Sequence, residues 1–576
     1  MYHSPFFRFL CFVTLTCLGG IAKAQPAGQT AHLIYLRQQA DVTAAHAYTT
    51  KRAKGQYVYN QLQRTARKTQ PGLISLLQKE GVAHRPLWIV NAIYAEGLSP
   101  EFLRHLEQHR AVVMILQDVP VHFSPPVDAP RVNLRSKAGP EWNIRQIQAD
   151  QVWHMGITGS GVTIGGQDTG VDWTHPSLTH QYRGRRADTI NHNYQWFDAI
   201  SEVNPYWSDT SSNPCGLSTR QPCDDHVHGT HTMGSMVGDD GADNQIGVAP
   251  GAQWVAARNM DRGVGSPTTY LRCFQWFLAP TDLNGRHPRP DLAPDVVNNS
   301  WYCPEDEGCT PEFQSVFAQA ITNLNAAGIF VVVSAGNAGE ACQTINTIPA
   351  SIEPAFATGA TDEQDEVASF SARGPAFSFS GEQLAKPDIT APGVQVRSAG
   401  LEDTYRTFSG TSMAGPHVAG TVALMLSANP DLRGAVDTLE AILRRTATPL
   451  QSSANCNIQS LPNRFDPAYG YGRIDALAAV QEALSTTTNS SSQPTGRKAV
   501  VVFPNPVHQQ LQFLLPEQIK TGYLRIFDSL GRPVRDQQLV RDSRILRLDF
   551  GDQPAGAYFY EIRWNQERRT GRFVKQ

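Results

Sequence analysis

Three short segments of the chain carry side chains that could act together in nucleophilic catalysis. Asp-Thr-Gly begins at Asp168 after a strand-like run, His-Gly-Thr-His begins at His228 and opens a predicted helix, and Gly-Thr-Ser-Met-Ala places Ser412 at the start of a long apolar helix. A serine hydroxyl is a weak nucleophile until an imidazole takes its proton, and a carboxylate on the other ring nitrogen keeps that imidazole in the required tautomer. The three residue types together therefore predict acyl-transfer chemistry.

Each segment taken alone has another interpretation. Asp-Thr-Gly also marks aspartic proteases, but these need two such loops to share one proton, and this chain has a single one. His226, His228 and His231 form a pattern similar to a metallo-hydrolase ligand cluster, but Thr230 stands where that motif has an aspartate. A serine at the start of a helix is also a common N-cap residue. Each alternative explains one segment, whereas the Asp-His-Ser interpretation explains all three.

The α/β-hydrolase scaffold is a further alternative for a catalytic serine. Its nucleophile lies in Gly-x-Ser-x-Gly, and here Ala414 occupies the last position. Its chain order is Ser, acid, His, whereas the order here is Asp, His, Ser. The sequence therefore disfavours that scaffold.

Residues 139–485 contain the elements that would position these segments. Short apolar runs end in turns that contain Gly or Asn, and they alternate with helical segments. Residues 329–335 are apolar on both faces, as a central strand of a parallel sheet is, whereas residues 311–327 carry apolar side chains at helical spacing. This alternation predicts an α/β domain with a doubly wound, mostly parallel sheet.

In this order and over this span, the three segments resemble the motifs of the subtilisin-like serine protease family. The segments around Asn337 and Lys386 agree with that family, and several intervening stretches look closest to its bacillopeptidase F-like branch. The resemblance implies a secreted serine endopeptidase of class EC 3.4.21 that hydrolyses peptide bonds in proteins. It implies an acyl-enzyme on Ser412, with His228 as base and then acid, and Asp168 orienting the imidazole.

The resemblance also implies an oxyanion hole and a substrate cleft. Asn337 matches the side-chain donor to the oxyanion, beside the backbone N–H of Ser412. The family usually has glycine where Tyr302 stands, which argues against assuming a general preference for large hydrophobic side chains. The alternative from another functional class is a catalytically silent binding protein, and retention of the triad and Asn337 weighs against it. The residues expected to bind substrate are Ser300, Trp301, Tyr302, Ala335 and Gly336.

The N-terminal region is predicted to be removed in stages. Residues 1–24 read as a secretory signal peptide, with a basic residue, an apolar run and a small-residue cleavage site. Residues 28–125 predict a small α+β, ferredoxin-like domain and resemble the inhibitory propeptide of subtilases. The enzyme is therefore expected as a zymogen that carries its own intramolecular inhibitor, with self-cleavage between about residues 124 and 140.

The C-terminal region has a different character. Residues 486–499 form a low-complexity linker, and residues 500–576 show strand alternation with frequent turn signals, which predicts a β-sandwich. This region resembles the sorting domain of the type IX secretion system. The resemblance implies secretion machinery as a partner and an extracellular or cell-surface location. A sugar-binding or adhesive sandwich is the alternative.

Composition and cysteines limit the remaining choices. Lys plus Arg total 49 and Asp plus Glu total 52, so the net charge of −3 indicates no nucleic-acid partner. A monomer that needs no cofactor is expected; calcium commonly stabilises the family, but no loop of this chain is assigned to bind it. An exported chain can keep disulfides. The predicted pairs are Cys215 with Cys223, Cys303 with Cys309 and Cys342 with Cys456, which leaves Cys273 unpaired.

Overall fold

The computed structural model divides the chain into two compact units, residues 1–487 and 488–576. The predicted signal peptide, residues 124–126 and 129–138 of the predicted cleavage region and most of the predicted linker at 486–499 lie outside the described residues. The structure describes residues 30–122, 127–128, 139–187, 189–204, 206–207, 213–305, 309–378, 381–453, 456, 458, 461–462, 464–486, 501–503, 507, 509–514, 521–528, 532–540, 545–564 and 567–575.

Residues 30–122, here called the N-terminal module, form a four-stranded antiparallel sheet with helices. The strand order is β2-β3-β1-β4, which is the order of the split β-α-β (ferredoxin-like) arrangement. Its elements are β1 (Ala31–Leu36), α1 (Lys51–Thr69), α2 (Pro71–Lys79), β2 (His84–Leu87), β3 (Ala92–Glu96), α3 (Pro100–Glu107), β4 (Val112–Asp118) and the short strand β5 (Val121–His122), with a 3₁₀ turn at Thr43–Ala47. The chain that follows the module contains one more short strand, β6 (Val127–Asp128).

Residues 139–486 form the central domain. Its helices are α4 (Trp142–Gln146), α5 (Ala149–His154), α6 (Pro176–Thr179), α7 (His228–Val237), α8 (Pro267–Leu278), α9 (Pro311–Ala326), α10 (Thr411–Ala428), α11 (Val436–Thr446) and α12 (Ala476–Ser485), with 3₁₀ turns at Pro290–Leu292 and Pro430–Leu432. Its strands are β7 (Thr163–Asp168), β8 (Arg185–Arg186), β9 (Thr189–Ile190), β10 (Trp196–Asp198), β11 (Gln253–Arg258), β12 (Val264–Gly265), β13 (Val296–Asn299), β14 (Phe330–Ser334), β15 (Phe356–Thr361), β16 (Ala376–Phe377), β17 (Gln383–Leu384), β18 (Ile389–Pro392), β19 (Val396–Ala399) and β20 (Tyr405–Ser409).

The central domain is built on one parallel sheet of seven strands in the order β10-β11-β7-β13-β14-β15-β18. Strand β14 shows that helices cover both faces of this sheet. Val331 and Val333 belong to a core shared with α8 and α9, whereas Phe330 and Val332 belong to a core shared with α7 and α10. Successive side chains of a strand point to opposite faces. The predicted doubly wound, mostly parallel α/β fold is therefore confirmed.

The N-terminal module shares one of these cores. In β1, Ile34 and Leu36 pack with side chains of α2 and α3, while Leu33 and Tyr35 belong to the core that contains α8 and α9. Alternate side chains of β1 therefore point to opposite faces of the sheet, and both faces are buried. One face packs under the helices of the module and the other packs against the central domain.

The C-terminal unit consists of strands alone among its described residues. A three-stranded sheet, β21-β22-β25, and a four-stranded sheet, β24-β23-β26-β27, share one apolar core in which Phe513 packs edge-on against Tyr560. Two sheets with a common core are the arrangement predicted for this region. The strands are β21 (Val501–Phe503), β22 (Gln510–Leu514), β23 (Thr521–Phe527), β24 (Pro533–Val540), β25 (Ile545–Asp549), β26 (Gly556–Trp564) and β27 (Glu567–Lys575).

The cysteines of the central domain follow the predicted pattern. Disulfides join Cys215 to Cys223 and Cys303 to Cys309, each within a short loop, and a third bond connects Cys342 to Cys456 across 114 residues. Cys273 is a free thiol buried on α8. Among the described residues, no helix combines the length and the apolar character needed to cross a membrane.

Candidate active site

Asp168 and His228 meet at the carboxyl end of the central sheet. Asp168 is the last residue of β7, and His228 is the first residue of α7. Nδ1 of His228 donates to Oδ1 of Asp168 at 2.7 Å, and both side chains are buried. The backbone N–H of Thr169 donates to the same carboxylate oxygen at 2.8 Å. Because Asp168 holds Nδ1–H, the imidazole is fixed in the tautomer whose Nε2 can accept a proton.

The approach of these two elements depends on Gly170. Its φ of +122° lies in the region that side chains avoid, and a Cβ at this position would stand 1.8 Å from the carbonyl oxygen of Cys223. The backbone that leads towards His228 therefore rests directly on the residues that follow Asp168. Glycine is required here for both its conformation and its lack of a side chain.

We expect Gly170→Ala to lower the free energy of unfolding by about 3 kcal/mol or more, because left-handed strain of about 1–2 kcal/mol adds to a clash with backbone. Urea unfolding of the full chain measures the loss. Gly161→Ala is the matched control, since Gly161 has a φ of +81° but no atom within 4 Å of the added Cβ. Equal losses for the two variants would show that the contact with Cys223 has no importance.

Ser412 lies in the first turn of α10, and its contacts place it beside the strand end that carries Asp168. Its hydroxyl donates to the carbonyl oxygen of Ser300 at 3.2 Å, and the hydroxyl of Ser300 donates to the carbonyl oxygen of Ser412 at 2.9 Å. Ser300 directly follows β13, whose Asn299 pairs in register with Gln167 of β7. Neighbouring strands lie about 4.8 Å apart. The register therefore brings the serine, the aspartate and, through α7, the histidine to one edge of the sheet.

Asn337 is oriented by the residue before Ser412. Oδ1 of Asn337 accepts from both the N–H and the hydroxyl of Thr411, each at 2.9 Å. Because the amide oxygen is held in this way, the NH₂ group is the part of the side chain left to donate elsewhere. Its nitrogen lies next to Gly410, 3.6 Å from the position of an ideal Cβ there. The side chain is thus placed as a donor near the Ser412 end of α10.

The five residues expected to bind substrate do not all have side chains available for that role. Trp301 is fully buried and stacks on Tyr270 with ring centroids 3.9 Å apart. Tyr302 is partly exposed, whereas Ala335 is buried and follows β14. Gly336 donates its N–H to the hydroxyl of Thr411 at 3.2 Å. Trp301 therefore supports the core, and only its backbone can face a substrate.

The neighbouring histidines do not form a metal centre. Nε2 of His231 lies within hydrogen-bonding distance of the carbonyl oxygens of Val396 and Arg406, at 3.1 and 3.2 Å, and burial lowers the pKa of His231 to about 3. A ring nitrogen that donates to carbonyl oxygens cannot also bind a metal ion. In the part of the chain that the structure describes, no group of three or more His, Cys, Asp or Glu side chains could hold a metal.

The N-terminal module and the chain that follows it add short strands to two elements of the central domain. Val121–His122 of β5 pairs antiparallel with Val264–Gly265 of β12. Val127–Asp128 of β6 pairs antiparallel with Phe408–Ser409 of β20, whose last residue lies three positions before Ser412. Sequence reasoning missed these pairings, and β12 and β20 carry no pattern that would have revealed them. The chain that leaves the module therefore runs beside the candidate site.

Comparison with known proteins agrees with this geometry. Residues 159–472 match the model of the subtilase family, and residues 501–576 match a secretion system C-terminal sorting domain. Bacillopeptidase F of Bacillus subtilis (strain 168) is 35% identical over 476 residues, which is 79% of this chain and 30% of that protein. An alkaline protease of Alkalihalobacillus alcalophilus is 30% identical over 67% of this chain and 78% of its own length.

Subtilisin Savinase of Lederbergia lenta is also 30% identical, over 59% of this chain and 98% of its own length. The match to bacillopeptidase F spans less than a third of that longer relative. The sorting domain indicates an extracellular or cell-surface location. The subtilase match covers more than half of the chain, and the chain therefore belongs to the subtilase family, the subtilisin-like serine endopeptidases.

Proposed function

We propose that this protein is a secreted endopeptidase that hydrolyses peptide bonds in proteins through an acyl-enzyme on Ser412, and that it is made as a self-processed zymogen. The observation that carries the proposal is the buried hydrogen bond of 2.7 Å between Asp168 and His228, at the strand end beside which Ser412 lies. Asp168, His228 and Ser412 have the roles of orienting acid, base and nucleophile.

The reaction follows from these roles. Oγ of Ser412 turns from the carbonyl of Ser300, forms a bond to the scissile carbonyl carbon and passes its proton to Nε2 of His228. The tetrahedral intermediate collapses when the C–N bond breaks, and His228 gives the proton to the leaving amine. Water then loses a proton to His228 and attacks the acyl carbon, and the ester C–O bond breaks as His228 returns the proton to Oγ of Ser412. Asp168 stabilises the imidazolium in both halves of the reaction.

Charge that develops on the carbonyl oxygen needs donors already in place. The NH₂ group of Asn337, oriented through Thr411, and the backbone N–H of Ser412 at the N-terminus of α10 are the proposed donors. Donors held in a site that excludes water stabilise such charge without having to reorganise during the reaction.

We expect Asn337→Ala to lower kcat by about 10²–10³ with little change in KM, since the lost hydrogen bond forms only in the transition state; this size of effect is known from the oxyanion-hole asparagine of a subtilisin. Steady-state kinetics on a chromogenic peptide measure it. Asn325→Ala, which removes an amide bonded to the carbonyl of Pro354, is the control and should retain the full kcat. An unchanged kcat for Asn337→Ala would contradict the role of Asn337.

The propeptide role of residues 28–125 and the domain boundaries predicted from the sequence are part of this proposal. The pairings β5–β12 and β6–β20 support it, because they attach the chain that leaves the module to the central domain and bring it beside the segment that leads into Ser412. The module is anchored by Lys51, whose ammonium donates to Asp295 at 2.9 Å and to the carbonyl of Ala293 at 2.6 Å. A chain held in this way blocks access of other substrates until it is cut.

The direct test is casein cleavage by the purified full-length chain, with and without a serine-directed fluorophosphonate. Inhibitor-sensitive cleavage, together with loss of the N-terminal module by intact mass, supports the proposal. A folded chain that resists the label and cleaves neither casein nor itself favours the catalytically silent binding protein. Cleavage of small esters without peptide cleavage would favour an esterase. Export through a type IX secretion system and a monomeric state complete the proposal.

A further inference from the structure

A buried carboxylate lies four residues before His228, on the segment that leads from a disulfide loop into α7. This residue, Asp224, is 9% exposed, and the mechanism above gives it no role. Its two oxygens accept five hydrogen bonds. Oδ1 accepts from the hydroxyl of Thr169 (2.8 Å) and from the N–H groups of His226 (2.9 Å) and Val227 (3.1 Å), and Oδ2 accepts from the N–H (2.9 Å) and the hydroxyl (2.6 Å) of Thr230.

On the strand side, Asp224 acts through Thr169, the residue after Asp168. The hydroxyl of Thr169 donates to Asp224 and accepts from the N–H of Gly229 at 3.0 Å. The N–H of Thr169 donates to the same oxygen of Asp168 that receives Nδ1–H of His228. One threonine therefore connects the carboxylate of Asp224 with Asp168 and with the backbone of Gly229, the residue after His228.

On the helix side, Asp224 takes the place of a cap. Val227 stands at the N-cap position of α7 with a φ of +72°, and its side chain makes no capping hydrogen bond. The first N–H groups of a helix lack partners within the helix, and negative charge is favourable there. Asp224 meets this need by binding the N–H of Thr230 in the first turn. That turn begins with His228, so the carboxylate fixes the backbone from which the imidazole extends.

Asp224 can position other groups because it is itself held firmly. The carbonyl of Cys223 rests against Gly170, and Cys223 is joined to Cys215. On the other side, Asp225 pairs with the buried guanidinium of Arg258 and accepts from the N–H of Arg262 at 2.9 Å. The backbone on both sides of Asp224 is therefore anchored to the central domain.

We propose that Asp224 is a positioning residue for catalysis, which sets the distance between Asp168 and His228 by tying the end of β7 to the first turn of α7. This inference rests on the function proposed above. A misplacement of about 1 Å in a catalytic group can cost about 10²-fold in rate. Loss of the tether should therefore act on kcat, whereas the substrate cleft stays unchanged.

The test compares two variants of the full chain, Asp224→Asn and Thr169→Val. We expect each to lower kcat on a peptide substrate by about 10- to 100-fold, with KM within about twofold of the wild-type value. Thr169→Ser keeps the hydroxyl and should restore most of the rate. Asp466→Asn is the matched control and should retain the full kcat. This buried carboxylate likewise accepts two backbone N–H groups on one oxygen and the N–H and hydroxyl of Ser452 on the other, but its partners lie outside β7 and α7.

Thr169→Val keeps the volume of the side chain, so it tests the tether even if Asp224→Asn fails to fold. Full activity in folded Thr169→Val, a rise in KM without loss of kcat, or an equal loss in Asp466→Asn would each overturn the inference. The wild type is assayed first: if it cleaves no peptide, the proposed function fails. If it is active and the variants match it, only the role of Asp224 fails. A double mutant that loses no more than either single variant would show that both residues act through one connection.

Discussion

Ser412→Ala is expected to lower kcat on the order of 10⁶-fold, the loss known for removal of the serine nucleophile from a subtilisin. The hydroxyl of Ser412 is the atom group that forms the acyl-enzyme, and alanine has no nucleophile at this position. The same variant should keep its N-terminal module, because the bond that releases the module is cut by this serine. Peptide kinetics measure the first effect, and intact mass of the purified chain measures the second.

The control for Ser412→Ala is a serine of the same region that takes no part in the chemistry. Ser427→Ala suits this purpose, since Ser427 lies on the same helix and its hydroxyl donates to the carbonyl of Ser160 at 3.1 Å. Both variants should unfold at similar urea concentrations. If Ser412→Ala loses its N-terminal module in a host without other proteases, self-processing is excluded, whatever the effect on peptide cleavage.

Asp168→Asn is expected to lower kcat by about 10⁴-fold while KM changes little, the effect known for the equivalent change in a serine protease triad. An amide at this position can donate to Nδ1 of His228, which moves the ring proton to Nε2 and removes the base. The change is isosteric, so the 2.7 Å contact can persist while the direction of the hydrogen bond is reversed, with the amide as donor and Nδ1 of His228 as acceptor. The measurement is the rate of peptide cleavage, with the rate of labelling by a fluorophosphonate as a second reading of Ser412 reactivity.

Asp172→Asn provides the comparison within the same segment. The carboxylate of Asp172 accepts from the N–H and the hydroxyl of Thr174 in an exposed turn, and this variant should keep its rate within about twofold. Equal loss in both variants would indicate general damage to the loop, and a fully active Asp168→Asn would remove Asp168 from the mechanism.

Some properties of the protein depend on residues close together in the chain, and these the sequence alone determined. Alternation of apolar runs and helical segments was enough to predict the doubly wound sheet, because strand and helix periods are local properties. The two short disulfide loops could be predicted because their cysteines lie six and eight residues apart. An exported protein also meets an oxidising environment, in which disulfides persist. The types and order of the three short motifs were enough to name the candidate Asp, His and Ser.

Other properties depended on tertiary structure. The sequence placed Trp301 among the residues expected to bind substrate but did not determine where its ring lies, and the structure puts that ring in the core against Tyr270. The tether through Asp224 joins positions 55 residues apart, and the pairing of β6 with β20 joins residues about 280 apart. Such contacts depend on the order of strands in the sheet, because that order decides which strand ends and which helix N-termini lie next to each other. Sequence identifies the groups able to do the chemistry, and packing of the whole chain decides which of them meet.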